Sequence, residues 1–544
     1  MKNAMASRLT WVAAALLLAA CGGGGDSRAG GGGAAAGTPV NGGMAVVGVK
    51  ADFGGFNPVS NSALATDEVI KYMLFTPLVQ FDEKLNVTPY LAESWQLADS
   101  GVTFKLRRDV SWHDGRPVTA EDVKFTFDLA KNPESAAGVI STYLGQVKSA
   151  TVVDPYTIRF DFVAPHAQAL EDFWWAPLPK HLLQGVAPAQ LAQAPYNLKP
   201  VGSGPFKLVS WQQGQALTLE ANPRFPQALG GRPRLDRVIF RIIPEATTRM
   251  TEVASGTVDV DYSILPDEAK QLQTQRGLRL EHYPSREMTF LGWNNEREMF
   301  RDARVRRALT MAVDRQRIIQ ALMFGFARPA SAVIPAFSPF NPGLQPLPFD
   351  PAGAKQLLAQ AGWQDTNGDG IVEKGGQPLR FTIITNASNQ LFQDIATVVQ
   401  QQLKGVGVDA QIRTMEFQTL LQQHKARDYD AIITNWTWDY FRPDPTPLFS
   451  CAEARKPKSA NRSGYCNPQA DQLMQAGLRE TDPAKAKQTW TQFSQLLQQD
   501  QPLTLLYWTE EIAGVGPKLE GAQMDARSKL VNVARWWIPA NRRR

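Results

Sequence analysis

Residues 381–436 carry the pattern that most limits the fold. In order they read FTIITN, LFQDIATVVQQQLKGVG, VDAQIRTM, FQTLLQQHKARD and DAIITNW. Short apolar runs of strand length alternate with longer runs of helical period. A βαβαβ order predicts a parallel sheet with right-handed crossovers. Ligands of open α/β sheets sit beyond the carboxyl ends of the strands. Asn386 falls at the end of the first strand, and NWTWDY, residues 435–440, at the end of the last. Trp436, Trp438, Asp439 and Tyr440 therefore stand where a ligand site is expected. The competing reading is that these aromatics seal the core. Trp436 and Trp438 are two apart, so in extended chain they share one side and Asp439 takes the other. Asp439 and Trp436 meet one ligand only if the chain turns there, with Trp438 packed against the protein.

Other segments are read in the same way. Residues 302–325, DARVRRALTMAVDRQRIIQALMFG, predict one helical stripe stopped by Gly325. DPAGAKQLLAQAG predicts a helix with Asp350 at the N-cap, Pro351 at N1 and Gly362 past its end. Thr119 and Asp122 are spaced for a capping box. TVVDPYTIRFDF alternates like a hairpin around Asp154-Pro155.

The N-terminus is not part of this pattern. Lys2 and Arg8 precede the apolar run WVAAALLLAA, which is too short to span a bilayer and suits a signal peptide over residues 1–20. The run ends in LAAC, which resembles the bacterial lipobox and implies lipidation of Cys21. Residues 21–43 are glycine-rich and cannot bury enough surface to fold. As a random coil this tether spans roughly 25 Å. An exported protein held to a membrane by lipid alone is expected. The whole chain has 544 residues, too many for one hydrophobic core. Its net charge of +5 is spread along the sequence, which gives no footprint for nucleic acid.

Besides Cys21 the chain holds only Cys451 and Cys466. Export places them in an oxidising compartment, so they are expected to be bonded. Because the loop they close follows the expected site, reduction is expected to cost ligand affinity more than global stability. DTNGDGIVEK, from Asp365, begins like a calcium loop, but its twelfth position is Gly376 rather than glutamate. It reads as a hairpin turn, with no metal. The five histidines lie in unrelated segments without ligand spacing. No nucleophile elbow or phosphate loop appears, so neither an enzyme nor a cofactor is expected.

Several motifs carry a family resemblance. They are LAESWQLADSGVTFKLRRDVSWHDGRPVTAEDVKFTFD, PVGSGPFKLVSW, FRDARVRRALTMAVDRQRII, DPAGAKQLLAQAGW, YDAIITNWTWDY and GYCNPQADQLM, in that order. On these the chain resembles the extracytoplasmic solute-binding proteins of ABC transporters, specifically the dipeptide- and oligopeptide-binding family. The resemblance implies an α/β, two-lobed periplasmic-binding-protein fold, type II-like, with an extra domain in lobe one. Carried over, lobe one takes residues 44–285 and 506–544, with 76–200 as the extra domain, and lobe two takes 286–505. Two crossings between lobes would form a hinge.

The resemblance also implies roles. The position matching Asp439 pairs with a peptide's α-ammonium, with Trp436 in the same wall. Relatives bond the cysteines that match Cys451 and Cys466. Dipeptide-specific relatives place an arginine where Asn386 stands, so longer peptides or non-peptide solutes fit better here. The implied partners are a peptide-like solute and ABC permease subunits, with the receptor itself a monomer. An oligosaccharide, an opine or a chelated metal is the alternative cargo, and a non-transport sensor or chaperone-like lipoprotein the alternative role.

Overall fold

Eleven strands join into one mixed sheet. In chain order they are β1 (Met44–Val49), β2 (Phe206–Gln212), β3 (Ala216–Ala221), β4 (Arg237–Ile242), β5 (Val260–Asp261), β6 (Arg279–Trp293), β7 (Ala327–Pro329), β8 (Arg380–Asn386), β9 (Asp409–Met415), β10 (Ala431–Thr437) and β11 (Leu503–Val515). Across the sheet the order is β9-β8-β10-β6-β11-β5-β1-β4-β3-β2, with β7 also on β11. The structure is a computed structural model and describes residues 38–61, 63–135, 137–138, 140–438, 441 and 443–543. Cys21, Asp439 and Tyr440 lie outside the described residues. No helix among the described residues is long and apolar enough to cross a membrane.

The βαβαβ reading holds. β8 pairs in parallel with both β9 and β10, and the helices Gln390–Lys404 and Phe417–Ala426 make the crossovers. β1 has parallel neighbours too, β4 and β5. The two parallel regions are joined by β6 and β11, antiparallel to each other along almost their whole lengths. The large hydrophobic cores sort to either side of this pair. One draws on residues 45–283 and 513–538, with Phe441 added. Two others draw on residues between 288 and 508. A separate antiparallel sheet, Ala92–Ala98, Gly101–Leu106, Thr157–Phe162 and Val147–Asp154, packs into the first core.

The β6–β11 ladder is broken twice, once between Thr289 and Phe290, where Leu506 is the extra residue, and more widely before Met288. Pro284 faces Glu510 and Met288 faces Trp508, so Ser285, Arg286 and Glu287 stand opposite Thr509 alone. Extra residues on one strand make a bulge, which bends the sheet and re-aims side chains. The Trp438 N–H donates to the Arg286 carbonyl at 3.0 Å, so the end of β10 is tied to this bulge.

Local chemistry explains the elements. Asp122 accepts from the Thr119 N–H at 2.9 Å, and Asp350 caps the helix Pro351–Gln360 through Gly353. Gly362, at φ +88°, follows that helix. The predicted single stripe over 302–325 is two helices, Ala303–Met311 and Arg315–Leu322. Asp314 ends the first by capping the second, accepting from the Arg317 N–H at 2.9 Å. A side-chain acceptor at an N-cap outweighs apolar period at such a junction.

Candidate functional site

A cavity of about 170 Å³ opens at the bulge. The helix Leu64–Val69 contributes Leu64 and Glu68, and β6 contributes Tyr283 to Glu287. Thr437 of β10, Glu511 of β11 and the loop from Asp525 to Lys529 complete the lining. The first core, through Tyr283, the strand β10 and the β6–β11 pair thus meet at one opening.

Its lining is strongly charged. Lys529 Nζ lies 3.1 Å from Glu511 and 5.2 Å over the Tyr262 ring. Burial works against the Lys529 ammonium, yet Glu511 and Glu68 raise its pKa above the ordinary lysine value. Burial raises the Glu68 carboxyl above the usual carboxylate range, against the pull of Lys529 and Arg286. Burial also raises Glu287, against hydrogen bonds from Asn435 and Thr437. Arg286 stacks 5.5 Å over the Phe441 ring. Asp525 is held by Arg527, whose Nη1 also donates to the Phe81 carbonyl at 2.9 Å. With every group ionised, the carboxylates of Glu68, Glu287, Glu511 and Asp525 outnumber by one the cations Arg286, Lys529 and Arg527, the last of them bound to Asp525. Such a lining favours a ligand that brings its own positive charge.

Of the expected site residues, the described ones, Trp436, Trp438 and Asn386, do not line this cavity. Trp438 is buried in the core with Met288, Phe290, Phe449 and Tyr465, and its Nε1 has no hydrogen-bond partner. Trp436 packs against the same core and lines a smaller cavity, about 30 Å³, with Phe290, Tyr429 and Arg462. The two-residue spacing puts both rings on one side of β10, and Thr437 between them faces the larger cavity. Asn386 Oδ1 accepts from the Ser388 N–H at 3.1 Å and its hydroxyl at 3.0 Å, turning the chain after β8 rather than lining either cavity. Phe441, in the stretch beyond, is buried against Phe81 and Trp174 at centroid distances of 4.9 and 5.3 Å. Cys451 and Cys466 are bonded.

Sequence reasoning missed Glu68, Arg286, Glu287, Glu511 and Lys529. A signal existed for three of them. Arg286-Glu287 and Glu510-Glu511 interrupt strands that are otherwise apolar, PSREMTFLGW and LTLLYWTEEIAGV. Glu510 takes the opposite face from Glu511 and binds His282 at 2.6 Å and Arg328 at 2.7 Å. Charges placed in buried strands are costly unless paired or used.

Comparison with known proteins follows the same lines. A family model described as bacterial extracellular solute-binding proteins, family 5, matches residues 86–456. The oligopeptide-binding protein AppA of Bacillus subtilis is 33% identical over 518 residues, 92% of this chain and 93% of the relative. The dipeptide-binding protein of Escherichia coli is 27% identical over 501 residues, 87% of this chain and 91% of the relative. The solved structure of Bacillus subtilis AppA in complex with a nonapeptide superposes with a TM-score of 0.73 at 31% identity, covering 92% of this chain and 100% of that one.

Proposed function

The chain belongs to the bacterial extracellular solute-binding proteins of family 5, and from that premise we propose that it captures a peptide-like solute at the β6–β11 bulge and delivers it to an ABC permease. Its family consists of receptors, not enzymes. The observation that carries the peptide reading is the cavity's surplus of carboxylates around the bulge, which suits a ligand ammonium. The likeness to an oligopeptide-binding protein supports the same cargo. Asp439, two residues beyond the lining residue Thr437, is the proposed partner of the ammonium. Trp436 and Trp438 back that wall from the core, and Tyr440 flanks it. Asn386 brings no positive charge for a peptide carboxylate, so peptides longer than two residues are the proposed ligands. Main-chain hydrogen bonds to an extended ligand would supply affinity with little sequence preference. The two crossings near 285 and 505 would act as the hinge between lobes. Cys21 is proposed as the lipid attachment point, with residues 21–43 as the tether.

Mass spectrometry of whatever co-purifies from the host tests the cargo, followed by calorimetry with peptides of graded length. Peptides of three or more residues should bind and dipeptides should not. A co-purified sugar or chelate, with no heat from any peptide, would refute the reading.

A further inference from the structure

The hairpin that leads into β8 gathers three acidic side chains away from the cavity. Asp365, Asp369 and Glu373 each bring one carboxylate oxygen within 4.8 Å of the others. Two of them are exposed, but Glu373 is only 8% exposed. Its Oε2 accepts from the Thr366 N–H at 2.9 Å and the Thr366 hydroxyl at 3.0 Å. Its Oε1 is buried with no hydrogen-bond partner. A buried carboxylate oxygen without a donor is costly, so its presence in an acidic group asks for a positive partner.

We propose that this loop binds a calcium ion through Asp365, Asn367, Asp369 and Glu373. Asp365, Asn367 and Asp369 take the first, third and fifth positions of a calcium loop. Gly370 takes the sixth, at φ +87°, where the sharp turn needs glycine. Ile371 takes the seventh, which supplies a main-chain carbonyl in such loops. The sequence pattern fails at Gly376, the twelfth position. The fold replaces that missing carboxylate with Glu373 at the ninth. Glu373 pairs with Gln364 through two main-chain hydrogen bonds, of 2.8 and 3.0 Å, which sets it beside Asp365. Asp365 is itself oriented by the N–H groups of Gly368 at 2.7 Å and Gly370 at 3.0 Å.

The donor set is all oxygen with three carboxylates, which selects a hard cation over softer metals. Calcium tolerates an irregular loop, whereas magnesium demands near-ideal octahedral geometry. The ion would fasten a hairpin tied to the parallel unit through Val372, whose N–H donates to the Gly407 carbonyl at 2.8 Å. This role is separate from solute capture, because the loop shares no residue with the cavity.

Calorimetric titration of the EDTA-stripped full chain with calcium chloride, and in parallel with magnesium chloride, tests it. One calcium per chain is expected, with a Kd on the order of 10⁻⁴–10⁻³ M as in extracellular modules. Saturating calcium should also raise Tm by mass action. Glu373→Gln should abolish both effects. The exposed Asp369→Asn, which keeps the loop's shape, should weaken binding roughly tenfold through one lost charge. No heat and no Tm shift in the wild type would overturn the site. So would undiminished calcium binding by Asp369→Asn, or magnesium binding as tight as calcium.

Discussion

Removing the Cys451–Cys466 bond tests how the chain beyond Trp438 is held. The bonded residues are 15 apart in sequence. For a loop of that size the chain-entropy model gives about 3 kcal/mol at 25 °C, all of it through the unfolded state. The native loop has a second fastening. Asn461 is fully buried, and its Nδ2 donates to the carbonyls of Ser450 at 3.0 Å and Tyr465 at 2.8 Å. Those residues directly precede the two cysteines. Arg427 adds donors to the Asn461 carbonyl at 3.1 and 2.8 Å. The loop ends therefore stay together when the sulfurs part. This reverses the expectation from sequence that reduction costs affinity more than stability. Joint Cys451→Ala and Cys466→Ala should lower the stability of this region by about 3 kcal/mol and leave affinity for a bound peptide unchanged. Adding Asn461→Ala strips two buried carbonyls of a donor and should cost about 1–3 kcal/mol more. A two-lobed chain need not unfold in one step, so hydrogen exchange across residues 445–475 in urea is the better readout of stability. Calorimetry reads affinity. An unchanged urea midpoint with a large loss of affinity would refute the argument, because it would mean that the bond shapes the native site.

Asp439→Asn should weaken binding of a peptide with a free N-terminus by about 2–5 kcal/mol. N-acetylating the peptide should cost the wild type a similar amount and the variant much less, a cycle measured by calorimetry. Glu68 has a folded-state pKa raised by burial. Its contribution to stability is therefore fully present below the unfolded pKa and lost as pH rises through the folded value. Glu68→Gln should match the wild type in thermal melts at acid pH and exceed it at neutral pH. Cys21→Ser should move the protein from the membrane fraction to the soluble fraction, measured by fractionation and immunoblotting.

The parallel unit was legible because each of its strands and helices carries its own period. β8, β9 and β10 needed only local apolar runs, and Asp350 and Asn389 mark helix starts by side chains that accept from the first turn. The break at Asp314 was missed because the apolar stripe continues in phase on both sides of it. The long ladder between β6 and β11 was illegible for another reason. Its partners are more than 200 residues apart, and register over that distance leaves no local trace. The cavity suffered most from this. Glu68 and Arg286 are each more than 200 residues from Glu511 and Lys529, and only the fold brings them together. The tryptophans were legible in part, with Trp438 expected to pack against the protein. Their density marks a strand end, where Trp438 joins the core and Trp436 packs against it and lines the smaller cavity.

The shared ladder also bears on how such a chain can be divided. β6 and β11, the proposed crossings, are full strands hydrogen-bonded to each other, not a pair of loose linkers. A gene fragment cut at 286 and 505 would encode the parallel unit with Met288 and Thr289 of β6 bared, because their partners Trp508 and Tyr507 lie beyond the cut. The other fragment would keep Arg279–Pro284 paired with Glu510–Val515 but would bare Tyr507 and Trp508 on β11. Bare strand edges invite pairing with other chains. Splitting this receptor into separately produced modules, or grafting one lobe onto another scaffold, therefore requires carrying both strands whole on one piece and supplying substitutes for them on the other.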